Sequence, residues 1–511
     1  MAHQALAPAS SLGELRAIPT WSDHLVGGAG IEIQDVPFVT VGGGLGSFVM
    51  IDLLRIAGCP VSKLRVLTAL KYPWQNYEYL TRVSQIPPSG RLRSDSASCP
   101  DNIWGFPSYA VREAVSAGNL KGFLAPLWNV LTEDVLCDYW TPKAGQVFYA
   151  MKREADRIGY WETVSNGQVA LVHKRDQGGY FTLLIPPAGG RPVAYRSRFV
   201  HLAVGYPGLR FLDDLQRYRQ NYGDHHRVVN AYEPHEHVYH ELNRRGGTVV
   251  VRGGGIAASQ ILDRLISDRT AHGHATNIVH LLRTYVEGAH GPSLFMRRRG
   301  GGGWAYQGFN CPKSTWGGQG RARLQKLEGQ DRVQLLQTMG GTTTARRKRW
   351  RGQLDKARRE GYYRALAATV EEVVPESPGT VVVRLRPAGE SGTVELGVNF
   401  IIDATGLEAD LSSHPVLDDL LDHGVARRNP LGGLDVERSF ELRGGRCGPG
   451  RIYAAGAATV GCYLAGVDTF LGLQIAALEA ADDLATIGFC ERIGVARSIA
   501  QWWKWARGRQ P

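Results

Sequence analysis

The sequence predicts an α/β protein made of two doubly wound parallel-sheet units. Three observations carry this. A run of strand, glycine turn, helix and strand opens near residue 36 and recurs about two hundred residues later. Two late apolar strands, at 399–406 and 451–458, each run into a small-residue turn, as chain segments returning to a sheet do. Glycine is abundant, 63 of 511 residues, and much of it sits in compact clusters at these turns rather than in linkers.

Residues 1–35 read as an irregular leader. Val36 to Val41 is a short β-rich run that stops at Gly42-Gly43-Gly44-Leu45-Gly46-Ser47. An apolar helical pattern follows through Phe48, Ile51, Leu53, Leu54 and Ile56 to Gly58, and Lys63 to Ala69 is the next strand. A long stretch then leads to Phe199 to Pro207. The second unit opens with the strand Gly247 to Arg252, the turn Gly253-Gly254-Gly255-Ile256-Ala257-Ala258, a helix over Ser259 to Ile266 and a strand over Asn277 to Leu282, ending at Arg283. Residues 285–350 are rich in glycine and arginine, with little periodicity, and read as an insertion. Asn399 to Gly406 and Arg451 to Ala458 are returning strands, and a helix spans about Phe470 to Ala485. The expected domains are 36–215 for the first part of unit one, 216–398 for unit two with its insertion, and 399–490 for the return part. A basic aromatic tail, 491–511, closes the chain.

The glycine turns carry the chemistry. A dinucleotide places its pyrophosphate at a helix N-terminus, where free N–H groups and the helix dipole favour negative charge. The first glycine permits the sharp turn, the second lets backbone approach phosphate, and the third position must be small so that helix and strand pack closely. Gly42, Gly44 and Ser47 meet these needs, as do Gly253, Gly255 and Ala258. One such match is weak; two, each flanked by strand and helix, define two Rossmann-like dinucleotide-binding domains. At the end of the second strand an acidic residue usually bonds the ribose. In unit one that position falls near Thr68, and no Asp or Glu follows before Glu78, so either the threonine hydroxyl substitutes weakly or the ribose is held from elsewhere. In unit two the position falls near Arg283, whose guanidinium matches a 2′-phosphate and favours NADPH over NADH.

Composition excludes several classes. With 43% hydrophobic and 21% charged residues the chain is neither disordered nor a coiled coil. Its seven cysteines are scattered and never form C-x-x-C, which argues against a redox dithiol, a zinc site and a disulfide scaffold and for a reducing cytoplasm. The start of the chain shows no basic region followed by an apolar run, and no stretch reaches eighteen apolar residues, so neither a secretory signal nor a membrane span is expected. The net charge of +11 admits an anionic ligand. The run Arg346 to Arg351 reads first as a solvated helix face continuing through Lys356, Arg358 and Arg359, and no nucleic-acid partner is expected.

Taken in order, these motifs resemble those of the class B flavin-dependent monooxygenases, and within them most closely the N-hydroxylating branch. The resemblance rests on Gly42–Ser47, on Ala203-Val204-Gly205-Tyr206-Pro207 as the A-T-G-x-x-P-like hinge, on Gly253–Ala258 with Arg283, on Asp403-Ala404-Thr405-Gly406, and on Tyr453-Ala454-Ala455-Gly456. The family's F-x-G-x-x-x-H-x-x-x-W/Y signature is present only as a loose echo over Tyr222–Tyr232, and Ala457 stands where reductase-like relatives carry Asp. The resemblance implies FAD in the first domain and NADPH in the second. It implies that NADPH reduces FAD, that the reduced flavin forms a C4a-hydroperoxide with molecular oxygen, and that one oxygen passes to a small amine or amino acid. S-oxygenation, Baeyer–Villiger insertion, and a reductase passing electrons to a partner remain as alternatives. By position, Thr405, Gly406, Gly456 and Asp468 are expected at the FAD. Tyr463 joins them at the flavin edge, and Trp74, Gln75 and Tyr77 beside the ring. In the insertion Arg297, with Arg298 and Arg299, is a candidate for a substrate carboxylate, His290 for a proton donor, and Asn310 for a polar contact among Trp304, Tyr306, Lys313, Ser314 and Trp316. A carboxylate-bearing amine is the expected substrate, a homo-oligomer is compatible with the pattern, and no metal or membrane is called for.

Overall fold

The computed structural model describes residues 8–90, 92, 111, 114, 115, 118–132, 142–283, 299–301, 304–306, 318–338, 348–377 and 379–511. Among them, no helix is long and apolar enough to cross a membrane.

The first unit is a five-stranded parallel sheet in the order Arg451–Ala454, Phe199–Leu202, Phe38–Val41, Leu64–Thr68, Val164–Asn166. Every residue of Phe38–Val41 is buried, as expected for a central parallel strand covered on both faces. The helix Leu45–Ile56 is buried except at Leu45 and Arg55. A helix buried on nearly every face needs cover on every side. The sheet lies beneath it and the helix Phe470–Thr486 alongside. The helix Ala144–Ile158 also packs against it, and the last helix, Val495–Ala506, closes over its end, with Gln501 Nε2 and Arg497 Nε bonded to the Ile56 carbonyl. The second unit orders Val228–Asn230, Phe400–Asp403, Gly247–Arg252, Thr276–Leu282 and Tyr363–Ser377 in parallel, then adds Thr380–Pro387 and Val394–Val398 antiparallel.

The structure corrects four expectations. The leader is not irregular. It forms the helix Pro8–Arg16 and the strands Thr20–Trp21 and Glu32–Asp35, which are the outer strands of a third sheet whose centre is the meander Gln168–Arg175, Tyr180–Ile185, Val193–Ser197. Trp21, fully buried against His173 and Phe181, anchors this segment. The domain boundaries also move. Helix Asp213–Tyr222 packs on the second sheet through Leu215 and Tyr218, and Phe400–Asp403 pairs within that sheet, so unit two runs from about 213 to the turn after Asp403. Among the described residues the insertion forms the helices Gln319–Lys326 and Gly329–Thr338, and Leu324 and the buried Arg332 seat them on the first unit. The basic aromatic tail is an ordered helix whose Trp505 packs on Ala150. The helix Lys348–Arg359 does present Lys356, Arg358 and Arg359 to solvent, while Leu354 and Ala357 pack into the second unit.

Two of the connections between the units run side by side. Gly208–Leu209, leaving the first unit, pairs antiparallel with Leu407–Glu408, returning to it. Asp403 pins this junction. Its buried carboxylate accepts from the Leu212 N–H (2.9 Å), the Thr405 N–H (3.0 Å) and the Thr405 hydroxyl (2.6 Å). Burial pushes the carboxyl up from its ordinary range, and these donors pull the other way.

Candidate active site

Both glycine turns open onto one cavity of about 980 Å³ between the units. In the first turn Gly42 has φ +119°, and a Cβ there would lie 2.3 Å from the Ala203 carbonyl oxygen, so only glycine fits. Gly44 is the N-cap of Leu45–Ile56, with φ −81° and ψ −161°, and no side chain caps that helix. A Cβ on Gly44 would meet nothing within 4 Å. The second turn repeats this. Gly253 has φ +127° and would place a Cβ 2.4 Å from the Ala404 carbonyl oxygen. Gly255, at φ −90° and ψ −169°, N-caps Ile256–His272, again without a side-chain cap. Each helix therefore begins at a glycine, which brings no capping side chain to the first turn at the cavity wall, the arrangement that favours a pyrophosphate.

A buried histidine braces each turn from behind. In the second unit His280 lies 2.6 Å from the Gly253 carbonyl through Nε2 and 3.0 Å from the Tyr363 hydroxyl through Nδ1. A carbonyl only accepts, so Nε2 carries the proton and Nδ1 accepts from tyrosine. Burial pushes His280 down to about 4. In the first unit the brace is a relay. The Gly43 N–H donates to Ser47 Oγ (3.1 Å), the Thr40 hydroxyl donates to the same oxygen (2.9 Å), and His201 Nδ1 meets Thr40 Oγ1 at 3.0 Å. Burial pushes His201 down to about 3. Both imidazoles are neutral near pH 7 and keep the backs of the turns free of positive charge.

Gly42, Gly44, Gly46, Gly253 and Gly255 lie on the cavity wall, joined by Thr405, Gly406, Gly456 and Asp468. Arg283, at the end of Thr276–Leu282, is exposed on the same wall. Ser47 and Ala258 are buried behind the turns. Thr68 is off the wall, and its hydroxyl donates to the Gly42 carbonyl (3.0 Å) and accepts from the Leu70 N–H (2.9 Å). It pins the turn, which corrects the expectation that it faces the ribose. Trp74 is buried among Tyr72 and Trp161, and the Gln75 side chain accepts from the Lys71 N–H (2.7 Å), so neither lines the cavity. Their helix, Gln75–Val83, instead presents Asn76, Tyr77 and Leu80. Tyr463 is buried away from the cavity. Its hydroxyl lies 2.5 Å from both Glu328 and Arg443, and the Arg332 guanidinium sits over its ring at 4.1 Å. His290, Arg297 and Asn310, with Arg298, Lys313, Ser314 and Trp316, fall outside the described residues. Arg299, Trp304 and Tyr306 lie in a short two-stranded ribbon.

Sequence reasoning missed Arg210 and Arg252, which share the wall with Arg283. Arg252 forms an ion pair with Asp214. Its place directly before the second glycine turn was a readable signal, while Arg210 follows a hinge and carries no motif.

No family model and no curated protein matches the chain. Solved structures do match across most of its length. The cadaverine monooxygenase of the desferrioxamine pathway from Erwinia amylovora, solved with FAD, aligns at TM-score 0.65 and 14% identity over 90% of this chain and 95% of its own. The ornithine N-hydroxylase from Kutzneria sp. 744, solved with reduced FAD, NADP⁺ and L-ornithine, aligns at 0.61 and 13% over 89% and 100%. The ornithine hydroxylase from Pseudomonas aeruginosa aligns at 0.60 and 16% over 88% and 98%. The chain has the fold of these two-domain flavin monooxygenases.

Proposed function

We propose that this protein is a FAD- and NADPH-dependent monooxygenase that N-hydroxylates a small amine or amino acid. The observation that carries the reading is the pair of glycine-capped helix N-termini opening onto one cavity, with Arg283 at the strand end beside the second. The residues fit the two cofactors. The backbone at Gly44–Leu45 would hold the FAD pyrophosphate, and that at Gly255–Ile256 the NADPH pyrophosphate. Arg283 would pair with the 2′-phosphate, and Arg210 stands on the same wall. When bound, the cofactors supply hydride transfer and oxygen activation.

The chain's own part is to bind, orient and exclude water. Leu80, Ile86, Leu92, Phe470 and Leu473 give the cavity an apolar side next to the first turn. Asp468, in the turn before the helix Phe470–Thr486, accepts from the Tyr206 hydroxyl at 2.7 Å and ties that turn to the hinge. The solved structures of the same fold act, by their names, on ornithine and cadaverine, which supports an amine as the substrate class here. A carboxylate partner such as Arg297 belongs to this proposal.

The test is a substrate panel. Purified protein loaded with FAD is given NADPH and oxygen with diamines, basic amino acids, thioethers and ketones. The expected result is hydroxylamine formed in step with NADPH oxidation for an amine. NADPH oxidation that yields only hydrogen peroxide with every amine, together with a coupled thioether or ketone product, overturns the N-hydroxylase reading.

A further inference from the structure

A second cluster of ligand-type side chains lies away from the cavity, where the third sheet meets the helix Pro415–Asp422. His173, on Gln168–Arg175, is fully buried, and neither ring nitrogen has a hydrogen-bond partner among the described residues. Trp21 stacks on the ring at 4.6 Å and offers it no acceptor. The helix brings Asp419, and one turn later His423, to the same point. His173 Nε2 lies 3.2 Å from Asp419 Oδ2, and His423 Nε2 lies 3.7 Å from Asp419 Oδ1. Asp419 Oδ2 is also buried without a hydrogen-bond partner among the described residues. The three side chains can each offer one ligand atom within 4.8 Å of the others.

Buried imidazole nitrogens are ordinarily satisfied. A tetrahedral ion with metal–ligand distances of about 2.0–2.1 Å holds its ligand atoms about 3.3 Å apart; His173 Nε2 and Asp419 Oδ2 are already 3.2 Å apart, and the third ligand atom lies within 4.8 Å of both. We infer that His173, Asp419 and His423 form a binding site for a divalent transition metal of the zinc class, which ties the third sheet to the first unit, with water completing the set. Two imidazoles and one carboxylate suit zinc or cobalt better than calcium or magnesium. One cation competes for the place. Arg16 Nε donates to Asp419 Oδ1 at 3.1 Å, and the Arg16 carbonyl accepts from His423 Nε2 at 2.7 Å. Arg16 is half-exposed and already 3.8 Å from Asp418, so a second carboxylate is at hand when a metal displaces it.

The experiment uses the full chain, stripped with chelator and titrated with Zn²⁺, and with Co²⁺ for its visible d–d bands. One ion per chain, a four-coordinate cobalt spectrum and a Zn²⁺-dependent rise in Tm are expected. His423→Ala and His173→Gln should each weaken binding at least tenfold, and Arg16→Gln should tighten it severalfold. His423 is partly exposed at the helix end, so its variant stays readable if His173→Gln does not fold. No stoichiometric uptake at micromolar metal, or affinity unchanged in His423→Ala, overturns the site. FAD retention plays no part in the readout, so the result is independent of the proposed activity.

Discussion

The two glycine turns have nearly the same backbone and different supports. Gly42 and Gly253 share a left-handed φ and each presses against the carbonyl of a connecting strand. Gly44 and Gly255 share an extended N-cap geometry. Behind them the designs part. The second turn is held by one direct imidazole bond, the first by a serine–threonine–histidine relay with Thr68 at its flank. The phosphate-facing side of such a turn is dictated by its ligand, whereas the hidden side only has to satisfy the backbone, and two unrelated sets of side chains do so.

The largest effect that separates the two sides comes from the first glycine. Gly42→Ala and Gly253→Ala should each cost on the order of 3–5 kcal/mol, because a methyl collides with backbone and φ is left-handed. Thermal unfolding checks this, and a Tm within a degree or two of wild type would break the claim that the turn is fixed from behind. Next comes the second glycine. Gly44→Ala meets nothing in the protein, so the apoprotein should keep its Tm while flavin retention falls at least tenfold. Full flavin occupancy in that variant would show that the pyrophosphate sits elsewhere. Arg283→Gln should raise the KM for NADPH by about 10–100-fold and leave that for NADH nearly unchanged, as loss of one charge-assisted contact predicts. Equal effects on the two would remove Arg283 from the 2′-phosphate.

The smallest expected effect is on pH dependence. His280 and His201 are lowered in the fold, from 6.5 to about 4 and about 3. The unfolded chain binds more protons between these values, so the stabilisation is complete above about pH 6.5 and is lost as pH falls toward 4 and then 3. Melting followed from pH 7 to 4 should fall steadily, and His280→Asn should flatten the upper part of that decline. An unchanged slope in the variant would mean that His280 is not a buried neutral brace.

The turns and their flanking strands were legible because glycine clusters and continuous apolar runs are local signals. The strand Gly247–Arg252 is read to the residue, and Leu64–Thr68 to within one at each end. The third sheet was not legible. Its outer strands are Thr-Trp and Glu-Ile-Gln-Asp, too short and too polar to show a period, and they exist through pairing with residues far along the chain. Phe400–Asp403 read correctly as a strand but was given to the wrong sheet, since four buried residues look the same in either. Arg332 carries no motif that would single it out in the sequence, yet it is buried between the Gly461 carbonyl and the Tyr463 ring. Thr68 was placed correctly and misread, because a hydroxyl that bonds its own neighbours is indistinguishable in sequence from one that faces a ligand.

The paired connections have a mechanical meaning. A single strand between two bodies lets them swing, twist and slide. Two strands hydrogen-bonded side by side, Gly208–Leu209 against Leu407–Glu408, act like a door hinge, because twisting or sliding would tear the ribbon while bending across it leaves the bonds intact. Each strand carries a positive-φ glycine just ahead of the ribbon, Gly205 and Gly406, where such bending is absorbed. Bending across this ribbon would widen or narrow the cavity, and a residue inserted into one connection without its match in the other would disturb the ribbon even if both glycine turns stayed whole.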